Sequence, residues 1–274
     1  MKICAITGAK GVLGNRILKL LPYKFYKFKG DITSFHQVKK WILKKDFDLL
    51  IHLAAKVPTK EVEANFKKAL KINYIGTKNI TNSLILKKNK PEWVFFSSTS
   101  HVYSLAKRKI KISEKTKLNP SSKYGLTKKK AEKEIEKLRK FGIKYCIGRI
   151  FSFTDINQKT PFVIPAIINK LKNSKKKTVN LKNMNHFRDF ISTSNICKII
   201  NKLYKTKSTG IFNIGSGQYI NLKEIAKLFA KKYNKFVNFE DNKIITYLIS
   251  NNRKILARKV NQSVFKNNIN FFYK

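Results

Sequence analysis

Acidic side chains are the chain's clearest shortage: 15 Asp and Glu face 60 Lys and Arg, a formal charge of +45 over 274 residues. Arginine is scarce too, seven against 53 lysines. Base readout and bidentate phosphate contact draw on arginine, so the charge makes a weak case for a nucleic-acid partner. The lysines run through every segment beside 33 Ile and 26 Asn. These three residue types share A/T-rich codons, so a coding bias accounts for the composition without a ligand. Cysteine is nearly absent: Cys4, Cys146 and Cys197 are odd in number and far apart. That excludes a disulfide framework or a zinc knuckle, points to no metal, and fits a reducing cytoplasm. No apolar run approaches the ~18 residues that cross a bilayer. A strand-like stretch begins at Ile3, so no secretory leader is expected. What is present is core material: 42% hydrophobic and 12% aromatic residues exclude global disorder.

Strand-like and helix-like segments alternate from the start. Ile3 to Thr7 reads as a buried strand, Val12 to Leu21 as a helix stopped by Pro22, and Tyr23 to Phe28 as a second strand. Leu49 to Leu53, Trp93 to Phe96 and Tyr145 to Ile150 continue the series, with an amphipathic helix from Tyr124 to Lys140. This alternation predicts an α/β fold, a parallel sheet with helices on both faces, and the rhythm loosens after about residue 150 into a second, smaller part. Residues 1–152 form the first part and 153–274 the second, with a strand near 211–215 returning to the main sheet. The Lys-rich stretch from Lys170 to Lys182 reads as a solvated loop, and the last twenty or so residues as loosely ordered.

Only 11 glycines occur, and three stand in Thr7-Gly8-Ala9-Lys10-Gly11-Val12-Leu13-Gly14, between the first strand and first helix. A dinucleotide pyrophosphate needs a tight turn, a backbone without Cβ at its approach, and helix amides aimed at it. Gly8, Gly11 and Gly14 supply these in order. An acid commonly ends the second strand of such folds to hold the ribose. Here that end is Phe28-Lys29, with Asp31 two residues on. Lys27 and Lys29 would suit the 2′-phosphate of NADP, and the choice between NAD and NADP stays open.

Tyr124 and Lys128 lie one helical turn apart. A cation beside a tyrosine favours the phenolate and lowers its pKa, fitting it to exchange a proton with a substrate oxygen during hydride transfer. The spacing recurs at five tyrosines, so position must decide. Only Tyr124 follows a proline-marked loop and opens a long helix. It also lies 25 residues after Thr99, in the hydroxyl cluster Ser97-Ser98-Thr99-Ser100 at a strand's carboxyl end. Sites of open parallel sheets form at that edge.

In this order the residues resemble the extended short-chain dehydrogenase/reductase family, in its NAD-dependent epimerase/dehydratase branch that modifies nucleotide sugars. The likeness runs from residue 1 to about 230. It rests on the glycine loop, Gly30-Asp31-Ile32, His52-Leu53-Ala54-Ala55, Asn73-Tyr74-Ile75-Gly76-Thr77, Ser97 to Tyr103, Tyr124 to Lys128, Arg188-Asp189-Phe190-Ile191 and Phe212 to Gly217. The resemblance implies a Rossmann-type parallel sheet plus a small substrate-binding α/β domain, with Thr99, Tyr124 and Lys128 as catalytic residues. It implies a cofactor, NAD or NADP, on Gly8, Lys10, Gly11, Val12, Leu13, Gly14, Asp31, Ile32, Leu53, Ala54, Ala55, Asn73, Tyr124 and Lys128. Thr99, His101 and Arg188 would meet the substrate. Arg188 would hold a phosphate, or else form a structural ion pair with a neighbouring carboxylate. His101 would be an additional acid/base, or else an ordinary histidine at a strand end.

The activity implied is that of an NAD(P)-dependent nucleotide-sugar epimerase or 4-keto reductase, with hydride transfer at C4 of the hexose. Dehydration is disfavoured, because Ser100 and His101 stand where dehydratases of the family carry an acid after the Thr. One βα unit after the second strand is missing. The family also suggests a homodimer. Two other readings stand beside this one: an inactive or RNA-binding protein on the same fold, and a reductase of a non-sugar carbonyl.

Overall fold

The computed structural model describes residues 1–57 and 59–260. Six parallel strands form its main sheet: β1 (Ile3–Thr7), β2 (Lys24–Lys27), β3 (Leu49–His52), β4 (Trp93–Thr99), β5 (Tyr145–Ile150) and β6 (Gly210–Ile214). Their spatial order is β6-β5-β4-β3-β1-β2. The direction of winding reverses between β1 and β3, which opens a crevice at their carboxyl ends. A single strand lies beyond β1, as the short stretch after the second strand implied.

The helices that cover this sheet are α1 (Val12–Leu20), α2 (Phe35–Lys44), α3 (Gly76–Leu86), α4 (Lys123–Glu136) and α5 (Thr193–Lys205). Side chains alternate across the strands, so each supplies two cores. Cys4, Ile6, Leu49, Ile51, Trp93, Phe95, Phe212 and Ile214 face α1 and α5. Ala5, Leu50, Val94, Phe96 and Ile147 face α2, α3 and α4. Burial on both faces explains why the strands read as continuous apolar runs rather than alternating ones.

A third core lies outside the sheet, where Ile164, Ile167, Leu171, Val179, Leu181, Ile225 and Phe229 meet. It holds a clear correction to the expected elements. Thr178–Lys182, within the stretch read as a solvated loop, is a strand paired in parallel with Phe236–Glu240. Val179 and Leu181 point inward while the polar residues between them face out. Phe187–Arg188 forms the centre of another small sheet, between Ile220–Asn221 and Tyr247–Leu248. The helix expected to reach Lys140 is α-helical to Glu136 and continues as a 3₁₀ turn to Phe141, where Gly142 adopts a left-handed φ of 72°. The carboxyl-terminal stretch expected to be loosely ordered lies, from 261 on, outside the described residues. No helix among the described residues is long and apolar enough to cross a membrane.

Candidate active site

The crevice is built first from glycine. Gly8 leaves β1 at φ 71°, and a Cβ there would stand 2.7 Å from the Ala54 nitrogen. A Cβ on Gly14 would stand 2.2 Å from the Gly8 carbonyl oxygen. Only a bare backbone lets the loop fold this tightly between β3 and α1. Ser34 and Ser122 cap α2 and α4, but α1 opens on Gly11 with no side-chain cap and no acid in its first turn. Its first amides are thus free for an anion. Leu13 packs into the core, leaving its backbone as the part that faces the loop. Lys10 is exposed.

The wall opposite the loop is held by one chain of hydrogen bonds. Ala54 N–H donates to Thr7 Oγ1 at 3.2 Å, and Thr7 Oγ1 lies 2.6 Å from His52 Nδ1. Thr77 Oγ1 lies 3.0 Å from His52 Nε2 and donates to the Asn73 carbonyl at 2.7 Å. Thr7 and Thr77 must therefore pass their protons onward, which fixes His52 as the neutral tautomer protonated on Nε2. Burial pushes its pKa down to about 3.

Asn73 stands in a π-helical turn, Lys71–Ile75, at the head of α3, a distortion common at functional sites. Its amide bridges the Lys56 backbone, at 2.7 and 3.0 Å, and Thr127 Oγ1, at 3.0 Å. It joins the loop after β3 to the helix that carries Tyr124 and Lys128. Leu53 and Ala55 belong to that same loop. Ile32 is buried against Gly76, where a Cβ would come within 2.9 Å of its Cγ2. Asp31 stays exposed, and its carboxylate accepts from Thr33 N and Oγ1 at 2.9 Å.

Thr99 ends β4, where its hydroxyl accepts from the His101 amide at 3.2 Å and lies close enough to the Tyr124 phenol to favour its ionised form. The His101 ring meets the Tyr124 ring edge-on, centroids 5.7 Å apart. His101 remains accessible to solvent although protein surrounds it, as a side chain in a cleft does. Burial and the charge of Arg188 both hold its pKa below the ordinary histidine value.

The electrostatics of the Tyr–Lys pair differ from the expectation. Tyr124 is 8% exposed, and burial pushes its pKa up to about 12 rather than down, opposed only by the nearby Thr99 hydroxyl. Lys128 is 1% exposed and packs its ammonium 4.1 Å from the centre of the Phe96 ring. Burial draws its pKa down to about 7. Desolvation therefore dominates both shifts. Among the described residues this ammonium makes no hydrogen bond or ion pair.

Arg188 donates to the carbonyls of Phe187 and Thr246 at 2.8 and 3.1 Å and to Thr246 Oγ1 at 3.2 Å. It has no carboxylate partner among the described residues, so the structural ion pair is not formed. Burial draws the pKa of this cation down to about 10.

Two networks escaped the reading of the sequence. Asp189, wholly buried, accepts from the amides of Ser216, Gly217 and Ser250 and from the hydroxyls of Ser216 and Ser250. A Cβ on Gly215 would stand 2.4 Å from its carboxylate, which explains the glycine in that turn. Glu132 takes a bidentate pair from Arg149 at 3.0 and 2.7 Å, and Arg149 also donates to the Tyr103 phenol at 2.8 Å. Glu132 is one turn beyond Lys128, but its partner Arg149 stands on β5, so helical spacing gave no signal for this network. Asp189 had only the turn-like Gly-Ser-Gly. No group among the described residues is suited to hold a metal.

A dinucleotide fits these residues: uncapped amides, a glycine cradle that any Cβ would fill, and a buried ammonium without an acceptor. Residues 6–267 match the family model described as GDP-mannose 4,6 dehydratase. GDP-6-deoxy-D-talose 4-dehydrogenase of Aggregatibacter actinomycetemcomitans is 27% identical over 98% of this chain and 98% of its own length. Among solved structures, RMD from Pseudomonas aeruginosa complexed with NADPH superposes with a TM-score of 0.85 at 18% identity, covering 97% of each chain. UDP-glucose 4-epimerase of Thermus thermophilus in complex with NAD gives 0.82 at 17% identity over 99% of each. The two superpositions establish the shared fold, and the match over residues 6–267 establishes descent: the chain belongs to the NAD-dependent epimerase/dehydratase family of extended short-chain dehydrogenases/reductases, enzymes that modify nucleotide sugars.

Proposed function

We propose that the protein is a nucleotide-sugar 4-keto reductase, running equally as the reverse 4-dehydrogenase, with Tyr124 as its acid/base. The observation that carries the reading is the placing of Tyr124 beside Thr99 and His101, in a crevice shared with a buried Lys128 that makes no hydrogen bond and a carboxylate-free Arg188. Net redox chemistry at C4 is favoured by the relative matched over 98% of both chains, which is named a 4-dehydrogenase. Epimerisation at C4 is the second reading, since the same residues serve a hydride taken and returned. Dehydration is disfavoured because Ser100 and His101, not an acid, follow Thr99.

The glycine loop, Leu53, Ala54, Ala55 and Lys128 would hold the dinucleotide, whose nicotinamide, when bound, exchanges hydride with C4. At neutral pH the Tyr124 phenol is protonated, as its pKa of about 12 requires, so it is ready to give that proton to a ketone oxygen. Thr99, at the end of β4 beside Tyr124, steers that oxygen with its hydroxyl. Lys128, its pKa drawn down to about 7 by burial, is partly charged at neutral pH, and that charge stabilises the phenolate left behind. Arg188 offers a planar cation to the diphosphate of the substrate, which also argues against a carbonyl substrate without phosphate. His101 lines the cleft within reach of the sugar.

Incubating the purified protein with a GDP-4-keto-6-deoxyhexose and NADPH or NADH tests the proposal. Stoichiometric oxidation of the reduced cofactor supports it. Conversion without net cofactor consumption moves the assignment to epimerase, and failure to bind either cofactor removes both. RNA binding that survives Tyr124→Phe and falls steeply with salt would favour the nucleic-acid alternative.

A further inference from the structure

We propose that Glu132 is a positioning residue that keeps Lys128 charged, acting as the negative end of a fixed buried dipole whose positive end is Arg149. The inference rests on the reading of Lys128 as a cation of the active site, and deepens it by naming what holds that charge.

The geometry starts on one face of β4, where Phe96 and Ser98 stand two residues apart and point the same way. Lys128 lays its ammonium on the Phe96 ring, and Glu132 accepts from the Ser98 hydroxyl. Lys128 and Glu132 are also one turn apart on α4, and both are almost wholly buried. The two side chains are therefore neighbours by strand and by helix, in a place where solvent screens little.

Arg149 keeps the carboxylate ionised and sets the direction of the dipole. It reaches Glu132 from β5 with its bidentate pair, while its remaining nitrogen donates to the Tyr103 phenol and, at 3.3 Å, to the Glu114 carbonyl. Tyr103 in turn donates to Asn213 Oδ1 of β6 at 2.8 Å. The guanidinium is thus anchored on the β5 and β6 side, whereas the charge of Lys128 is felt at His52 of β3. The carboxylate is the end that faces Lys128. Ion pairs buried this deeply add little stability over apolar side chains of similar volume, so stability alone does not account for one beside Lys128.

Burial works to discharge Lys128, and Glu132 is the group that opposes it. The other titratable groups nearby do not supply that charge. His52 is neutral, Tyr124 keeps its proton, and His101 is held below the ordinary histidine value. Glu61, Glu63 and Glu134 are paired with Lys56, Lys123 and Lys137.

Fluorescence titration with NADH and with NADPH, on both sides of neutrality, tests this without turnover. In the parent protein affinity should fall as pH rises through about 7, where Lys128 loses its charge, and Lys128→Met should abolish that dependence. Glu132→Gln combined with Arg149→Gln puts amides in place of both charges and should move the midpoint down by about one pH unit. Arg149→Gln alone leaves the carboxylate uncompensated and should move the midpoint up. Arg149→Lys, which keeps both charges, should leave it in place. Each variant carries its own sign, so one that fails to fold leaves the others decisive. An unchanged midpoint in the double variant and in Arg149→Gln, or shifts of one sign in both, overturns the proposal while Lys128 keeps its role. A dependence that survives Lys128→Met overturns that role, failure to bind either dinucleotide overturns the seat, and the inference falls with each.

Discussion

The carbonyl oxygen of His101 sits 2.0 Å from where a Cβ on Gly125 would be. The first turn of α4 is thus pressed against the segment that leaves β4, and this contact sets His101 and Thr99 beside Tyr124. Ser122 completes the clamp by accepting from the Gly125 amide at 3.1 Å. Gly125→Ala should separate the two elements. We expect a loss of about 1–3 kcal/mol in stability and about a hundredfold in kcat, the cost of displacing aligned groups by an ångström or so. Urea unfolding and steady-state kinetics on the same preparation check both numbers.

Tyr124 carries the proton and Thr99 only orients it, so the two substitutions should separate in size. Tyr124→Phe is expected to cost about 10²–10⁴-fold in kcat, and Thr99→Ala distinctly less. Equal activity of Tyr124→Phe and the parent protein would show that another group titrates the substrate.

Lys128 ties function to stability with opposite signs. Its folded pKa, about 7, lies below the ordinary 10.5. Between those values the unfolded chain binds a proton that the folded chain does not, so this residue makes stability rise with pH from about 7 to 10.5. Below that window the fold carries a buried charge without a bonded partner. Lys128→Met should therefore stabilise the protein near and below neutrality, by about 1–4 kcal/mol, and the advantage should fade toward pH 10.5. The same variant should lose most of its cofactor affinity. Denaturant midpoints across the pH range, with cofactor titration, check both effects.

Much of the site was legible because backbone constraints leave their mark in residue type. In a chain with 11 glycines, Gly8, Gly11 and Gly14 are conspicuous, and the structure shows what two of them avoid. The Tyr124 and Lys128 pairing was legible only by place, since lysine abundance repeats its spacing elsewhere. What spacing could not convey was burial, which raises the phenol's pKa where proximity to a cation suggested the reverse. Thr178–Lys182 was hidden for a related reason: a two-residue alternation of Val179 and Leu181 is faint among so many lysines. Arg149 and Glu132 meet from a strand and a helix 17 residues apart, and no local period announces such a contact.

His52 yields the sharpest prediction for acid. Its two ring nitrogens are committed, Nδ1 to Thr7 and Nε2 to Thr77, so a second proton has to break the bond that Thr7 donates. The folded pKa of about 3 lies below the ordinary 6.5. The unfolded chain takes up this proton first, and the stability His52 supplies is whole above about 6.5 and lost as pH falls toward 3. One such proton corresponds to a slope of about 1.4 kcal/mol per pH unit. A glutamine at this position offers an amide NH₂ to donate and a carbonyl to accept but does not titrate. His52→Gln should unfold with a shallower acid dependence than the parent protein, and the difference should appear only below about pH 6.5. Identical slopes across that range would mean that the Thr7–His52–Thr77 chain opens before the histidine is charged.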